Sequence, residues 1–249
     1  MKKFNPSDKG SIYKYAKRLE GKTLRSLLNK GDIQKIESMQ NNVSEQRKNN
    51  IKSINKGGFG QKVEKYYFGY ENNSSKEADF AECNLELKIT PLRVLKNGEL
   101  RPKERMVCNI INFDTIINEE WNSSSFLKKC NEILIIRYVD PIPDRTVSHL
   151  DYKFVDVRIH NILNGVGANQ FKKDWNDIVT KIKLGQAHDL SESDTSYLGA
   201  CPKGANSKSL RNQPNSSIPA MQRAFTFKQQ YMKKLLDEAP EIYEVWKNN

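Results

Sequence analysis

Residues 84–90, Asn-Leu-Glu-Leu-Lys-Ile-Thr, alternate strictly between polar and apolar side chains. A strand repeats every two residues, so Leu85, Leu87 and Ile89 point to one face and Asn84, Glu86, Lys88 and Thr90 to the other. A helix would scatter both sets around its circumference. The segment therefore predicts a strand with one buried face, and that burial fixes its register.

The polar face carries an acid and an amine. Glu86 and Lys88 project the same way, roughly 7 Å apart along the chain. Asp79 precedes them across an expected bend, which would return its carboxylate beside Glu86. Two carboxylates and an ammonium in one place suit phosphodiester hydrolysis. A hard cation takes oxygen ligands, and Mg²⁺ is held by one or two carboxylates together with substrate phosphate oxygens. Asp79 and Glu86 are expected to be metal ligands, with the Leu87 carbonyl as a third and Lys88 offsetting charge that grows on phosphorus. An alternating Glu/Lys strand face is more often the solvated side of a sheet, so the triplet gains weight only from its surroundings. Glu64, on the helical pattern before the strand, is expected to face the carboxylate pair as an outer ligand to metal or water. A salt bridge to a neighbouring lysine is its competing role.

Periodicity places the other elements. Residues 7–28 read as helical, with Ile12, Tyr15, Ala16, Leu19, Leu24, Leu27 and Leu28 at helical spacing and a break at Gly21. Residues 40–50 are polar and read as a loop or a solvated helix end. Lys56-Gly57-Gly58-Phe59-Gly60 opens a second helix running to Phe68, which Gly69 terminates. A polar turn is expected at 72–75 and a hairpin at Asn97-Gly98. Strands are expected over 106–113, 132–139 and 152–159. An amphipathic helix over 174–184 carries Trp175, Ile178, Val179 and Ile182, and Gly185 ends it. A loop spans 197–214, and a last helix covers 228–236. Helices, a mixed sheet and helices again describe an α/β or mixed α+β chain.

Composition narrows the partners. The 249 residues suffice for one large domain with a full core. Lysine and arginine number 41 against 30 acidic residues, a net charge of +11 that attracts a polyanion, nucleic acid above all. No run is apolar for long enough to span a bilayer, so no membrane partner is expected. Met1-Lys2-Lys3-Phe4-Asn5-Pro6 has no apolar stretch behind its lysines and does not read as a signal peptide, so a cytoplasmic protein is expected. Cys83, Cys108, Cys130 and Cys201 are widely separated and read as reduced packing thiols. His149, His160 and His188 lack metal-site spacing. The glycine-rich Lys56–Gly60 run lacks the Gly-Lys-Ser/Thr ending of a nucleotide-binding loop.

Lys56-Gly57-Gly58-Phe59-Gly60, Glu64, Asp79-Phe80, and Leu85-Glu86-Leu87-Lys88 with Pro91 follow one another in an order that resembles the MutH family, which contains a mismatch-repair nicking endonuclease and related type II restriction enzymes that cut at GATC. Asn122-Ser123-Ser124-Ser125-Phe126-Leu127-Lys128-Lys129, Asp174-Trp175, Leu184-Gly185-Gln186, Pro202-Lys203-Gly204-Ala205-Asn206 and Arg223-Ala224-Phe225 continue the match. Lys103-Glu104-Arg105, Asn109-Ile110-Ile111-Asn112, Thr195-Ser196-Tyr197-Leu198 and Ser209-Leu210-Arg211-Asn212-Gln213-Pro214 are most similar to the catalytic half of the staphylococcal restriction branch.

The resemblance implies a restriction-endonuclease-like, MutH-type core: an α/β (mixed α+β) fold with a mixed sheet flanked by helices and two lobes around a DNA cleft. It implies one catalytic domain over 1–249, with a lobe of roughly 1–105 holding most of the active site and a lobe of roughly 106–249 holding the DNA-reading loops. Lys129 takes the place of a further active-site lysine. DNA contacts are implied for Lys56, Lys203, Asn206, Arg211, Arg223 and Thr226, with Lys203 and Arg211 suited to guanine in the major groove. Thr226 stands where the repair enzyme has a tyrosine, which favours the restriction branch. The implied reaction uses one or two Mg²⁺ ions, cuts double-stranded DNA at GATC, and leaves a 3′-hydroxyl and a 5′-phosphate. One Asp79/Glu86/Lys88 set faces one strand at a time, and no long apolar stripe is left over for a permanent dimer, so a monomer that pairs transiently on DNA is expected. A DNA-binding module that does not cut, and a repair nickase dependent on a partner, are the competing readings.

Overall fold

The structure, a computed structural model, describes residues 3–48, 58–70, 77–141, 147–206 and 208–247. Lys56 and the turn expected at 72–75 lie outside the described residues. Short capped helices open the chain. In α1 (Lys9–Lys17) the Asp8 carboxylate accepts from the Gly10 N–H, and Ile12, Tyr15 and Ala16 are buried. Gly21 turns the chain at φ 73°, in the left-handed region that glycine tolerates, and α2 (Leu24–Leu27) starts from a capping box between Thr23 and Ser26. The expected helix of 7–28 is thus two helices around the Gly21 break. In α3 (Lys30–Lys48) most of the polar stretch expected as a loop or helix end is helical. A short α4 (Gly58–Lys62) runs into a π-helical turn, Val63–Phe68, that Gly69 ends at φ 71°.

β1 (Glu86–Val94) and β2 (Leu100–Pro102) form the hairpin expected at Asn97-Gly98. After β3 (Met106–Ile110), Asn112 caps the short α5 (Phe113–Ile116), which cuts off the strand expected to run to 113. Ser124 caps α6 (Ser125–Cys130), and β4 (Glu132–Asp140) and β5 (Phe154–Asn161) follow. One sheet has the order β2-β1-β4-β5, with β1 parallel to β4 and the other pairs antiparallel. β4 lies inside this sheet with both faces covered, which is why its sequence is an almost unbroken apolar run.

The Leu87 N–H donates to the Asp79 carboxylate at 2.9 Å, so it points away from β4. Strand residues alternate their backbone groups between the two edges, which sends the N–H positions of 87, 89 and 91 outward. Pro91 therefore lacks its donor where β4 needs none, and the strand passes through it to Val94 rather than stopping at Thr90. The Pro91 carbonyl faces the same way and accepts from the Lys103 N–H at 3.0 Å.

α7 (Ala168–Lys183) begins six residues before the expected start at 174, at Gly167, whose φ of 86° excludes most side chains. The loop expected over 197–214 contains β6 (Leu198–Pro202) and β7 (Leu210–Gln213), and two further strands, β8 (Ser216–Met221) and β9 (Arg223–Phe227), follow it. Their sheet orders are β3-β9-β6 and β7-β8. The buried Asp174 carboxylate secures β6 by accepting the backbone N–H groups of Ser196, Tyr197 and Leu198 at 3.0, 2.5 and 2.8 Å. The final helices are α8 (Gln229–Asp237) and α9 (Ile242–Lys247).

The lobes do not divide at 105/106. β4 and β5, from the expected second lobe, complete the sheet of β1 and β2. Ile133 and Ile135 of β4 enter a core with α6, α7, β6, β9 and α8, while Leu134 and Ile136 enter a second core with α1 and α4. A sheet that both cores share ties the halves together. No described helix is long and apolar enough to cross a membrane.

Candidate active site

A tight reversal brings Asp79 to Glu86. Phe80 and Leu85 exchange backbone hydrogen bonds of 3.0 and 3.2 Å around a 3₁₀ turn at Ala81–Cys83, and Asn84 closes it at φ 50°. An asparagine tolerates that left-handed conformation better than most residues. Asp79 then binds β1 twice: its Oδ2 accepts the Leu87 N–H, and its own N–H donates to Glu86 Oε2 at 3.3 Å.

Glu86 is 1% exposed, although it lies on the face read from sequence as polar. Lys88 Nζ donates to its Oε1 at 2.5 Å, and Lys129 Nζ stands 4.0 Å from its Oε2. The alternation holds: Glu86 and Lys88 sit opposite Ile133 and Ile135, while Leu87 sits opposite Leu134. Lys129 comes from the last turn of α6, just before β4, so the neighbouring strand delivers it. Burial pushes the Glu86 carboxyl up against the pull of Lys88, and the Asp79 charge adds to the rise. Burial also works against the Lys88 ammonium, but the Glu86 carboxylate outweighs it and holds the amine above its ordinary value.

These groups offer an oxygen donor set to a hard cation. A residue in a strand points its N–H and C=O to the same edge. The Leu87 carbonyl therefore lies on the edge where its N–H meets Asp79, beside the Asp79 and Glu86 carboxylates. Two carboxylates and one carbonyl, all oxygen donors, fit Mg²⁺ rather than zinc. Among the described residues no cluster of three or more His, Cys, Asp or Glu side chains forms a metal cage.

Glu64 sits on the π-helical turn and is half-buried. A β-carbon built on Gly60 would lie 3.9 Å from Glu64 Oε1 and 3.8 Å from Ile89 Cβ. The same glycine thus borders both Glu64 and Ile89 of β1.

A groove of about 880 Å³ continues from the site, and its lining includes Lys88, Thr90, Glu104, Arg105, Pro202 and Lys203. Lys203 and Asn206 are exposed. The Lys203 backbone N–H is tied to the Gln222 carbonyl at 2.7 Å, which fixes the loop while leaving the ammonium free to project. Arg211, also exposed, is oriented by Gln222 Oε1 at 3.0 Å. Arg223 and Thr226 are corrected by the fold. Thr226 is fully buried, and its hydroxyl donates to the Met106 carbonyl at 3.1 Å. Arg223 is 9% exposed and turns its Nη1 to the Ala200 carbonyl. Both belong to the interior of β9, not to a DNA-reading surface.

Sequence reasoning gave Glu104 and Arg105 no role and read Cys108 and Cys130 only as packing. The signal for the first two was their place just after the hairpin that closes the edge of β1. The two cysteines lie near Lys88, and a mutual hydrogen bond with burial pushes the Cys130 thiol well up, so it stays neutral beside the ammonium.

Residues 68–163 match the family model described as DNA mismatch repair enzyme MutH. The chain is 43% identical over 172 residues to a type II restriction enzyme, Sau3AI, of Staphylococcus aureus, covering 68% of this chain and 34% of that protein. It is 29% identical over 191 residues to the DNA mismatch repair protein MutH of Shewanella woodyi, covering 76% of this chain and 79% of the relative. A MutH protein of Actinobacillus pleuropneumoniae is 24% identical over 184 residues, 73% of this chain and 77% of the relative. The chain thus spans about a third of the restriction enzyme's length and over three quarters of the repair proteins'. The Asp79/Glu86/Lys88/Lys129 cluster falls within the matched stretch, and the chain carries a MutH-family domain.

Proposed function

We propose that the chain is a Mg²⁺-dependent endonuclease that hydrolyses double-stranded DNA at GATC as a type II restriction enzyme, leaving a 3′-hydroxyl and a 5′-phosphate. The observation that carries this reading is the convergence of Asp79, Glu86 and Lys88 at the start of β1, with Lys88 also lining a groove that reaches Lys203. Asp79, Glu86 and the Leu87 carbonyl would hold one or two Mg²⁺ ions. When bound, such a cation supplies Lewis-acid stabilisation of the pentavalent phosphorus. Lys88, fixed by its ion pair with Glu86, offsets charge on the phosphoryl oxygens, and Lys129 stands beside the same carboxylate. Lys203 projects from the end of β6 and Arg211 from β7, and Gln222 steadies both, as base-reading groups require.

A second reading has one observation in its favour. The chain matches over three quarters of the length of the repair proteins but a third of the restriction enzyme. In that reading the chain nicks one strand instead of cutting both. The test is incubation with a supercoiled GATC plasmid, with Mg²⁺ or with EDTA, followed by sequencing of the ends. Cutting of both strands at GATC with Mg²⁺ supports the restriction reading. Nicks alone favour the repair-type reading, and intact plasmid in every condition overturns both.

A further inference from the structure

Arg105 stands just before β3 and lines the groove that carries Lys88 and Lys203. It also borders an adjoining hollow of about 410 Å³ that Lys103 and Lys228 line. Its guanidinium is not idle. Nη1 donates to Glu192 Oε1 at 2.6 Å, with the two side chains 44% and 36% exposed.

Glu192 is held in place from behind. Lys228 Nζ donates to the Glu192 carbonyl at 2.5 Å and to the Thr195 carbonyl, which anchors the 3₁₀ turn at Glu192–Asp194. The carboxylate rests over Gly199 of β6, where a β-carbon would lie 3.5 Å from Oε1 and 3.3 Å from Lys228 Cγ. A backbone-anchored carboxylate thus reaches across to a half-exposed guanidinium on the groove wall. Lys103, the neighbouring cation, is likewise engaged by Asp140 at 2.6 Å.

We propose that Arg105 is a phosphate-binding residue of the groove and that Glu192 holds it in the DNA-free protein as a surrogate for the phosphate. Binding then exchanges one anion for another on the same guanidinium. The chemistry permits the exchange, because carboxylate and phosphate both match the guanidinium fork. The balance favours DNA: an exposed ion pair is weak, whereas a duplex brings many charges and releases counterions. Glu192 keeps the arginine extended across the groove and makes each weak encounter with an anion compete with it. This inference rests on the reading of the groove as a DNA site.

The experiment is a double-mutant cycle on binding of the full chain in EDTA, across a salt series, to a fluorescent duplex with GATC and to one without. Arg105→Ala should weaken both duplexes by a similar factor, on the order of tenfold, and lower the salt slope by about one. Glu192→Gln should tighten binding by about threefold in the parent chain and have no effect in the Arg105→Ala background. If Glu192→Gln tightens binding equally in both backgrounds, it acts by general charge and the exchange is wrong. Unchanged affinity and slope in Arg105→Ala also overturn it. Failure of the parent chain to bind either duplex would overturn the nuclease reading first and this inference with it.

Discussion

At the scale of single residues, the site depends on a buried acid with two assigned neighbours. Glu86 is held by Lys88 and by the Asp79 N–H, and neither contact resembles a base contact. Asp79→Ala or Glu86→Ala should therefore reduce cleavage below a tenth of the parent rate while leaving GATC binding in place, and Lys88→Ala should slow the chemical step by about 10²-fold. Single-turnover cleavage beside a binding assay checks this. Residual cleavage above a tenth in either carboxylate variant removes the ligand assignment. His160 provides a separate residue-scale test. Burial first, and then the Arg137 charge, lower its pKa from 6.5 to about 4, and its Nε2 meets the Tyr231 hydroxyl at 3.0 Å. The unfolded chain takes up a proton that the folded chain refuses, so stability is complete above pH 6.5 and declines as pH falls towards 4. The loss is about 3 kcal/mol. Thermal unfolding of the parent and His160→Gln from pH 4 to 8 checks it, and an equal slope in both removes His160 as its source. Asp79, Glu86 and Lys88 were legible because a period of two and one tight reversal suffice to bring them together. Arg223 and Thr226 were not, because all five residues of β9 are buried and nothing in their order reveals which way they face.

At the scale of elements, long periodic segments were readable and short ones were not. The helix expected over 174–184 and the strand expected over 132–139 correspond to α7 and β4, because α7 shows its helical period and β4 is a run rich in β-branched apolar residues. β6 and β7 were hidden in an expected loop. β6 is Leu-Gly-Ala-Cys-Pro, small residues covered on both faces, and β7 is largely exposed. What holds β6 is a distant side chain, the Asp174 carboxylate, on which three successive N–H groups converge. Asp174→Ala should leave those buried donors without their acceptor and destabilise the protein by about 3 kcal/mol or more. Urea unfolding measures the loss. Hydrogen exchange should show it concentrated at 196–198 and in β6, and uniform or absent loss of protection would show that the carboxylate does not anchor this strand.

At the scale of the whole molecule, a single set of Asp79, Glu86 and Lys88 attacks one phosphodiester at a time, while a palindrome such as GATC presents two equivalent strands. The chain should be a monomer without DNA, with two copies meeting on the site to break both strands. Nicked plasmid should accumulate before linear product at low enzyme, and linear product should rise more steeply than enzyme concentration. Light scattering beside a plasmid time course checks this; a stable DNA-free dimer that makes linear product directly contradicts it. One consequence concerns solubility. An uncovered strand edge invites a neighbouring molecule to extend the sheet and start aggregation. Here the edge that would face the substrate is the vulnerable one, and two of its three outward N–H positions are already blunted: the Leu87 N–H is occupied by Asp79, and Pro91 has none. The carboxylate that prepares the edge for chemistry therefore also makes it a poor template for self-assembly.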